Sequence, residues 1–452
     1  MTRRSHVTSM TSGGIYRQLI AFSIPLVLGN LFQLSYNMVD TVVISRYVGS
    51  TALAAVGTCD QIMNLLILGV SGVCIGASVL MGNFFGAGDQ ERLLAEMKTT
   101  VSLGLLFALG VLAAALPLTG VIFQLMQVQP EALAPAQTYM RIIFMGLPFS
   151  CLYNVYAAAL RSVGDSRTPV RYLVISCIVN AALDVALVVG AGLNVLGAAL
   201  ATVIAQALSS VLCMRYVNRH VPLLRLRWRA LRMDRALAGR TLSYGGMTAL
   251  QQCSQPIGNL VIQGSVNALG VSAAAAFSAV RKIEDIGLLP GRSISTAITA
   301  FVAQNRGARK GKRVEQGFRR GMTLEAAVGA AMCLLVLCLR RPLMALFTAD
   351  ADIVSDGVRY FNIIGFCYWL PCLTNGMQGY FRGIGRMTVT LFGTASQISV
   401  RVLATLLLVP VMQIPGVGLA CVLGWSAMLS WEMPLRRRLS RREAVPPGMG
   451  HA

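Results

Sequence analysis

Apolar residues run along this chain in stretches of twenty or more, separated by short polar turns. A helix rising about 1.5 Å per residue crosses about 30 Å of hydrocarbon in a stretch of that length. Twelve such stretches are predicted, at about 17–44, 52–82, 94–121, 136–160, 169–190, 195–217, 239–264, 273–303, 318–340, 357–381, 388–411 and 416–435. Alternation with period two is absent, which sets aside a closed barrel of strands. Asp60 interrupts the second stretch, and Arg281, Lys282, Glu284 and Asp285 interrupt the eighth, so these two have the least regular pattern.

Composition agrees with the pattern. The chain of 452 residues is 55% hydrophobic and 13% charged, with a mean hydropathy of +0.64, outside the range of soluble domains. Its formal charge of +21 would suggest nucleic acid in a soluble protein. No RNP-like motif, basic recognition helix or zinc-finger spacing supports that, and the position of the charges explains them otherwise. Counted along twelve spans, 30 of 39 basic residues fall on the N-terminal side of the membrane, from Arg3, Arg4 and Arg17 to the run from Arg436 to Arg442. Only Arg46, Arg141, Arg340, Arg341 and Arg359 fall opposite. The positive-inside rule then makes both termini cytoplasmic, with the Arg-rich stretch from about 218 to 238 available to anionic lipid.

Eleven cysteines are scattered through the apolar runs and read as small hydrophobes, with no disulfide framework or CxxC pair. His6, His220 and His451 lie in the tails and the linker, so neither a metal site nor a cofactor is expected. The polar N-terminal segment lacks the features of a removable signal peptide.

Compared with itself, the chain repeats. One ungapped offset of 221 residues pairs Gly49 with Gly270, Ile62 with Ile283, Gly86 with Gly307, Tyr139 with Tyr360, Asn154 with Asn375, Arg161 with Arg382 and Gly197 with Gly418. The expected fold is therefore all-α, a polytopic membrane protein of twelve transmembrane helices in two pseudo-symmetric six-helix bundles. The halves divide as 1–220 and 221–452, the second beginning with the linker at 221–238. Six spans in each half place the pseudo-two-fold along the membrane normal. Such duplications suit alternating access around a site shared by the repeats.

Intramembrane polar groups are the candidate chemistry, because a charged side chain facing lipid costs several kcal/mol. Asn37 and Asp40 share one face of the first span, and Asn180 and Asp184 share one face of the fifth. The aspartates must face a polar interior, meet water or spend part of their time protonated. Their counterparts at the repeat offset are Val261 and Thr405, so this chemistry is confined to the first half. Asn154, Thr202 and Gln206 extend the set, and Tyr36 could stack on a flat or cationic ligand. In the second half, Gln251 and Gln255 on the seventh span and Arg281, Glu284 and Asp285 on the eighth are candidates for a substrate cleft. Arg281 and Asp285, one turn apart, are alternatively a self-neutralising pair. No G-x-S-x-G, H-E-x-x-H or G-K-[ST] sequence occurs, so neither hydrolysis nor direct ATP use has a foothold and the protein reads as a non-enzyme.

Met38-Val39-Asp40-Thr41-Val42-Val43-Ile44, Leu53-Ala54-Ala55-Val56-Gly57, Gly86-Ala87-Gly88-Asp89 and Leu160-Arg161-Ser162-Val163-Gly164-Asp165-Ser166-Arg167-Thr168-Pro169 occur in that order. Together they resemble the multidrug and toxic compound extrusion family, in a bacterial, DNA-damage-inducible-like branch, over about 15–435. The resemblance implies a multi-pass protein of the bacterial cytoplasmic membrane, read here as a monomer. It implies efflux of small organic, cationic or amphipathic solutes against an influx of protons or sodium. Asp40, Asn180 and Asp184 would occupy the coupling positions, with Asn154 and Thr202 accessory to them. The carboxylates other branches place in the seventh and tenth spans are missing, which puts a sodium site in the second half in doubt. A lipid-linked precursor flippase and a non-transport scaffold or receptor are the alternative readings.

The charge asymmetry generates a topology prediction. A reporter fused at the C-terminus, or a cysteine placed in the 218–238 stretch, will report the cytoplasmic side. A C-terminal reporter active only outside the cell contradicts it, as does an odd number of spans.

Overall fold

In hydrocarbon every backbone N–H and C=O must be satisfied within its own segment, so apolar runs of this length fold as helices. The computed structural model describes residues 7–227 and 231–444; Arg3, Arg4, His6, Arg229 and His451 lie outside the described residues, as do the side chains of Arg441 and Arg442. The helices are α1 (Ile15–Tyr47), α2 (Ser50–Ala87), α3 (Gln90–Leu125), α4 (Pro130–Ser162), α5 (Arg167–Asp184), α6 (Asn194–His220) and α7 (Arg235–Asn267). They continue as α8 (Val271–Gly287), α9 (Leu289–Gly307), α10 (Gly311–Ala345), α11 (Ala351–Ile364), α12 (Trp369–Gly383), α13 (Met387–Met412) and α14 (Ile414–Ala444). The chain is an all-α, multi-pass membrane protein.

Among the described residues, nine helices are long and apolar enough to cross a membrane, and α8 with α9, bent by 41°, raise the number to ten. The two remaining expected spans depart from simple apolar rods for a visible reason. The stretch 239–264 is α7, which spends its Thr241, Thr248, Gln251 and Gln255 side chains on hydrogen bonds to neighbouring helices or to its own turns, so its sequence is mixed. The stretch 357–381 breaks at a 3-10 turn, Gly365–Cys367, into α11 and α12 of 14 and 15 residues.

Two compact units form. Unit 1 runs from Pro25 to Ala249 and includes the segment ending at Ser9; unit 2 comprises Met10–Ile24 and the chain from Leu250 onward. The unit boundary within α1 falls at Pro25, whose missing N–H removes a helical hydrogen bond. The core of unit 1 is built from α2, α3, α4 and α6 around buried Met97, Phe123, Phe144 and Tyr156. That of unit 2 gathers Phe277, Tyr360, Phe361 and Tyr368. The segment before α1 is clipped to unit 2, since Gln304 accepts from the Met10 N–H at 2.8 Å and Asn305 and Arg313 donate to its carbonyl at 3.1 Å each.

The repeat is written in the backbone. Left-handed φ values recur at the 221-residue offset in Gly49 and Gly270 (106° and 109°), Gly88 and Arg309 (75° and 56°), Gly164 and Gly385 (86° and 74°) and Gly192 and Gln413 (66° and 58°). At Gly49 and Gly270 the following ψ also agrees, 176° against 175°, a combination that only glycine adopts without strain. Each pair marks an equivalent helix end, so residues between the marks are equivalent one by one.

Small residues let two helices of unit 1 touch. A Cβ on Gly72 would lie 2.4 Å from the Ala249 backbone, one on Gly76 2.5 Å from the Gly245 nitrogen, and one on Gly245 2.6 Å from the Val73 Cα. Gly72-xxx-Gly76 of α2 thus meets Gly245-xxx-Ala249 of α7, a close approach of the kind that holds membrane helices together by dispersion rather than hydrophobicity. Gly76→Leu will destabilise the folded protein by about 1–3 kcal/mol, the usual cost of overpacking. Gly69→Ala, with nothing within 4 Å of its Cβ, will be near neutral. Thermal unfolding in detergent compares them, and equal loss in both contradicts the close crossing.

Candidate functional site

Three helices of unit 1, α1, α5 and α6, bring the candidate residues together. Asp40 and Tyr36 lie one turn apart on α1; Asn180 and Asp184 lie one turn apart on α5 and are both buried, at 3% and 0% exposure. The Asn180 amide donates to Asp184 Oδ2 at 3.3 Å. The other Asp184 oxygen, Oδ1, and Asp40 Oδ1 are both buried without a partner. Tyr36 shares a side-chain hydrogen bond with Thr202 of α6 and lies within electrostatic range of both aspartates; Asp40 acts on Asp184, and Asp60 of α2 acts on Asp40. Among the described residues, no arginine or lysine forms an ion pair with either carboxylate.

The local fold presents Asp184 in an unusual way. The helix changes character directly after it, continuing as a π-helical segment, Val185–Gly190, in which the Ala191 N–H reaches back five residues to the Ala186 carbonyl at 2.9 Å. Widened turns of this kind concentrate at functional sites. Gly197 lets α6 close on that segment: a Cβ there would lie 3.0 Å from the Leu187 carbonyl carbon. Thr202 lies five residues further along α6.

Other candidates lie elsewhere. Asn154 turns its amide onto the Ser150 carbonyl of its own helix at 2.9 Å, and Asn37 is exposed. Gln206 Oε1 is buried without a partner beside Gly146, where a Cβ would come within 3.0 Å of it. The tight group is therefore Tyr36, Asp40, Asn180, Asp184 and Thr202.

In unit 2 the candidates separate. Gln251 is buried and donates to Gln378 Oε1 at 2.8 Å and to Thr394 Oγ1 at 3.0 Å, while Gln378 donates to Glu432 Oε1 at 2.9 Å. Gln255 is exposed and makes a long contact of 3.5 Å to Gln397. The expected Arg281–Asp285 pair does not form. Asp285 pairs instead with Arg292 on α9 at 3.1 Å, because the bend between α8 and α9 brings that side chain round, and Arg281 sits 5.9 Å from the Phe277 ring centre. Glu284, on the same turn, accepts from the Tyr360 and Tyr368 hydroxyls at 3.1 and 2.9 Å.

Three buried carboxylates escaped the sequence reading. Glu96 of α3 accepts from Thr241 at 2.6 Å; Glu325 of α10 is fully buried with both oxygens unpartnered; Glu432 closes the glutamine network. A charge inside an apolar run was the available signal for Glu325 and Glu432. Glu96 lies next to the Glu91–Lys98 stretch at a helix start and is indistinguishable there from an interfacial charge. Among the described residues, no three His, Cys, Asp or Glu side chains gather closely enough to hold a metal ion.

The MatE family model matches residues 25–186 and 248–407, stretches whose ends lie 221 residues apart. The chain is 29% identical over 365 residues to the "Probable multidrug resistance protein YoeA" of Bacillus subtilis strain 168, covering 79% of this chain and 78% of that protein. It is 25% identical over 395 residues to the "FAD transporter" of Shewanella oneidensis, covering 84% and 86%. Its fold matches a solved structure described as the outward-facing conformation of a multidrug resistance MATE family transporter of the MOP superfamily. The TM-score is 0.90 at 21% identity, over 98% of this chain and 99% of that one.

Proposed function

This chain belongs to the MatE family, and from that premise we propose that it is a secondary exporter of small organic compounds, cationic or amphipathic, driven by an influx of protons or sodium. We read it in the DNA-damage-inducible-like branch of the family, with twelve spans, halves at 1–220 and 221–452, and both termini in the cytoplasm of a bacterium. The observation that supports the reading most is the pair of buried Asp184 and half-buried Asp40, each with a buried, unpartnered oxygen and no ion pair to a basic side chain among the described residues. Two carboxylates close together in a membrane interior cannot both stay charged unless something neutralises them. A proton or monovalent cation taken from solution supplies that charge, and its arrival and departure are what an ion gradient acts upon.

Asn180 suits the task because an amide donates to a carboxylate without fixing its charge, which an arginine in the same place would do. Tyr36 and Thr202 tie α1 to α6, so occupancy of the carboxylates is transmitted to two helices at once. Substrate need touch neither aspartate, because coupling requires only that ion and substrate favour different conformations. A second reading, export of an anionic dinucleotide, draws on the Shewanella oneidensis relative named for FAD.

Asp40→Asn and Asp184→Asn will each lower ion-driven efflux by a factor on the order of 10–100, the range of typical coupling free energies, while the protein still inserts and folds. Purified variants in liposomes, assayed with ethidium and separately with FAD under imposed proton and sodium gradients, test this. Gradient-driven transport at the wild-type rate by both variants removes the pair from the mechanism. Transport of FAD without ethidium selects the second reading.

A further inference from the structure

The positions that form the unit 1 group recur in unit 2 with different side chains. The 221-residue register, marked in the backbone by four pairs of left-handed residues, makes the positions around the aspartates equivalent across the halves. Asp40 corresponds to Val261 and Asp184 to Thr405, so both carboxylates are gone from unit 2. Asn180, the neutral donor that serves Asp184, corresponds to Arg401. Tyr36 corresponds to Ile257 and Thr202 to Leu423, whereas Tyr139, in electrostatic range of Asp40, persists as Tyr360.

We infer that Arg401 is a tethered cation, occupying in unit 2 the place that an exchangeable proton or monovalent cation takes in unit 1. Its Nη1 donates to Asn259 Oδ1 at 3.3 Å, and its charge reaches Glu284, Tyr360 and Cys421. Glu284 brings the one carboxylate of this pocket from α8, replacing Met63 of the first half, and the Tyr360 and Tyr368 hydroxyls fix it at 3.1 and 2.9 Å. Tyr360 also meets Cys421 Sγ at 3.6 Å, closing a ring that joins α8, α11 and α14. Thr405, in the place of Asp184, gives its hydroxyl to the Arg401 carbonyl at 2.7 Å and has no charge to offer.

The charge balance of the two pockets is opposite in kind. In unit 1, Asp40 and Asp184, with Asp60 in range of Asp40, have no basic side chain ion-paired to them among the described residues; in unit 2, Glu284 has the Arg401 guanidinium in range and, acting less, that of Arg281. An intramolecular cation competes with dissolved ions at an effective concentration in the millimolar range or above, and it cannot leave. Guanidinium is also weakly hydrated and permanently charged, which suits it to a partly dry site. Exchange with solution is thereby closed off at Glu284. Arg281, the other cation near Glu284, lies over Phe277 and acts on the carboxylate less than Arg401 does.

This inference rests on the coupling reading only for what fills unit 1. It is therefore tested with the unit 1 site disabled, in the full chain bearing Asp40→Asn and Asp184→Asn, by thermal unfolding in detergent. The probes are sodium, lithium and methylguanidinium, each titrated into choline chloride. Adding Arg401→Ser to that background will create a cation-dependent rise in Tm of about 2–5 °C at saturating probe, as expected for a ligand that binds only the folded state. The parent background, Arg401→Lys and the Arg401→Ser/Glu284→Gln combination will show no such rise. A folded Arg401→Ser protein without the rise, or with the same rise after Glu284→Gln, overturns the inference. Should Arg401→Ser fail to fold, Arg401→Met and Arg401→Met/Glu284→Gln decide. Removing both charges must restore folding that removing one abolished, and failure to restore it overturns the inference. Wild-type efflux by the Asp40→Asn and Asp184→Asn variants would count against the coupling reading alone.

Discussion

A carboxylate removed from water must be neutralised by a proton, a bound cation or a basic side chain, because the cost of leaving it bare exceeds what ordinary packing returns. The acids withdrawn from water in this chain meet that constraint in several ways. Glu284 has a guanidinium within range and two tyrosine hydroxyls on one oxygen. Glu96 takes two threonine hydroxyls, Thr100 and Thr241, and Glu432 a glutamine amide. Glu432 keeps a bare oxygen but has Arg382 within range, and Glu325 is bare at both oxygens. Asp184 has one amide and a bare oxygen, and Asp40 a bare oxygen on the facing helix, with only other carboxylates acting on them, and for this pair we propose a proton or cation that comes and goes.

Duplication explains how one scaffold came to hold both solutions. The backbone of the two halves stays in register to the level of single left-handed residues, even where glycine has become Arg309 or Gln413. Side chains between those marks were free to diverge, and they did so in charge: amide to guanidinium at Asn180 and Arg401, carboxylate to hydroxyl at Asp184 and Thr405. The helix after Asp184 widens into a π-helical segment, whereas α13 runs on through Thr405 to Met412 without a break. Symmetry supplies two similar units; the side chains between the marks make them differ in charge.

Much of this was legible before any coordinates. Asp40, Asn180 and Asp184 stood out because a polar residue in an apolar helix is rare and helical spacing placed each pair on one face, and the tight group in unit 1 contains all three. The helical class and the repeat followed from run length and a single offset. What could not be read was set by tertiary packing. Arg281 and Asp285 have the spacing of an ion pair, yet the 41° bend between α8 and α9 gives Asp285 to Arg292. Gln251 and Gln255 look interchangeable on α7, but only one faces the network that ends in Glu432. The split of the 357–381 stretch into two short helices left no local mark strong enough to register, since Gly365 and Pro371 are tolerated within membrane helices.

We propose that the Asp40 and Asp184 pair holds an exchangeable charge that substrate binding displaces. The direct measurement is ion release from purified protein in weakly buffered detergent solution on addition of ethidium, followed by a pH indicator and by a sodium-selective electrode. Wild-type protein should release about one proton or one sodium ion per molecule, as the exchange of one charge between linked sites requires, and Asp184→Asn should release none while still binding the dye. Release by Asp184→Asn equal to that of the wild type would contradict the account.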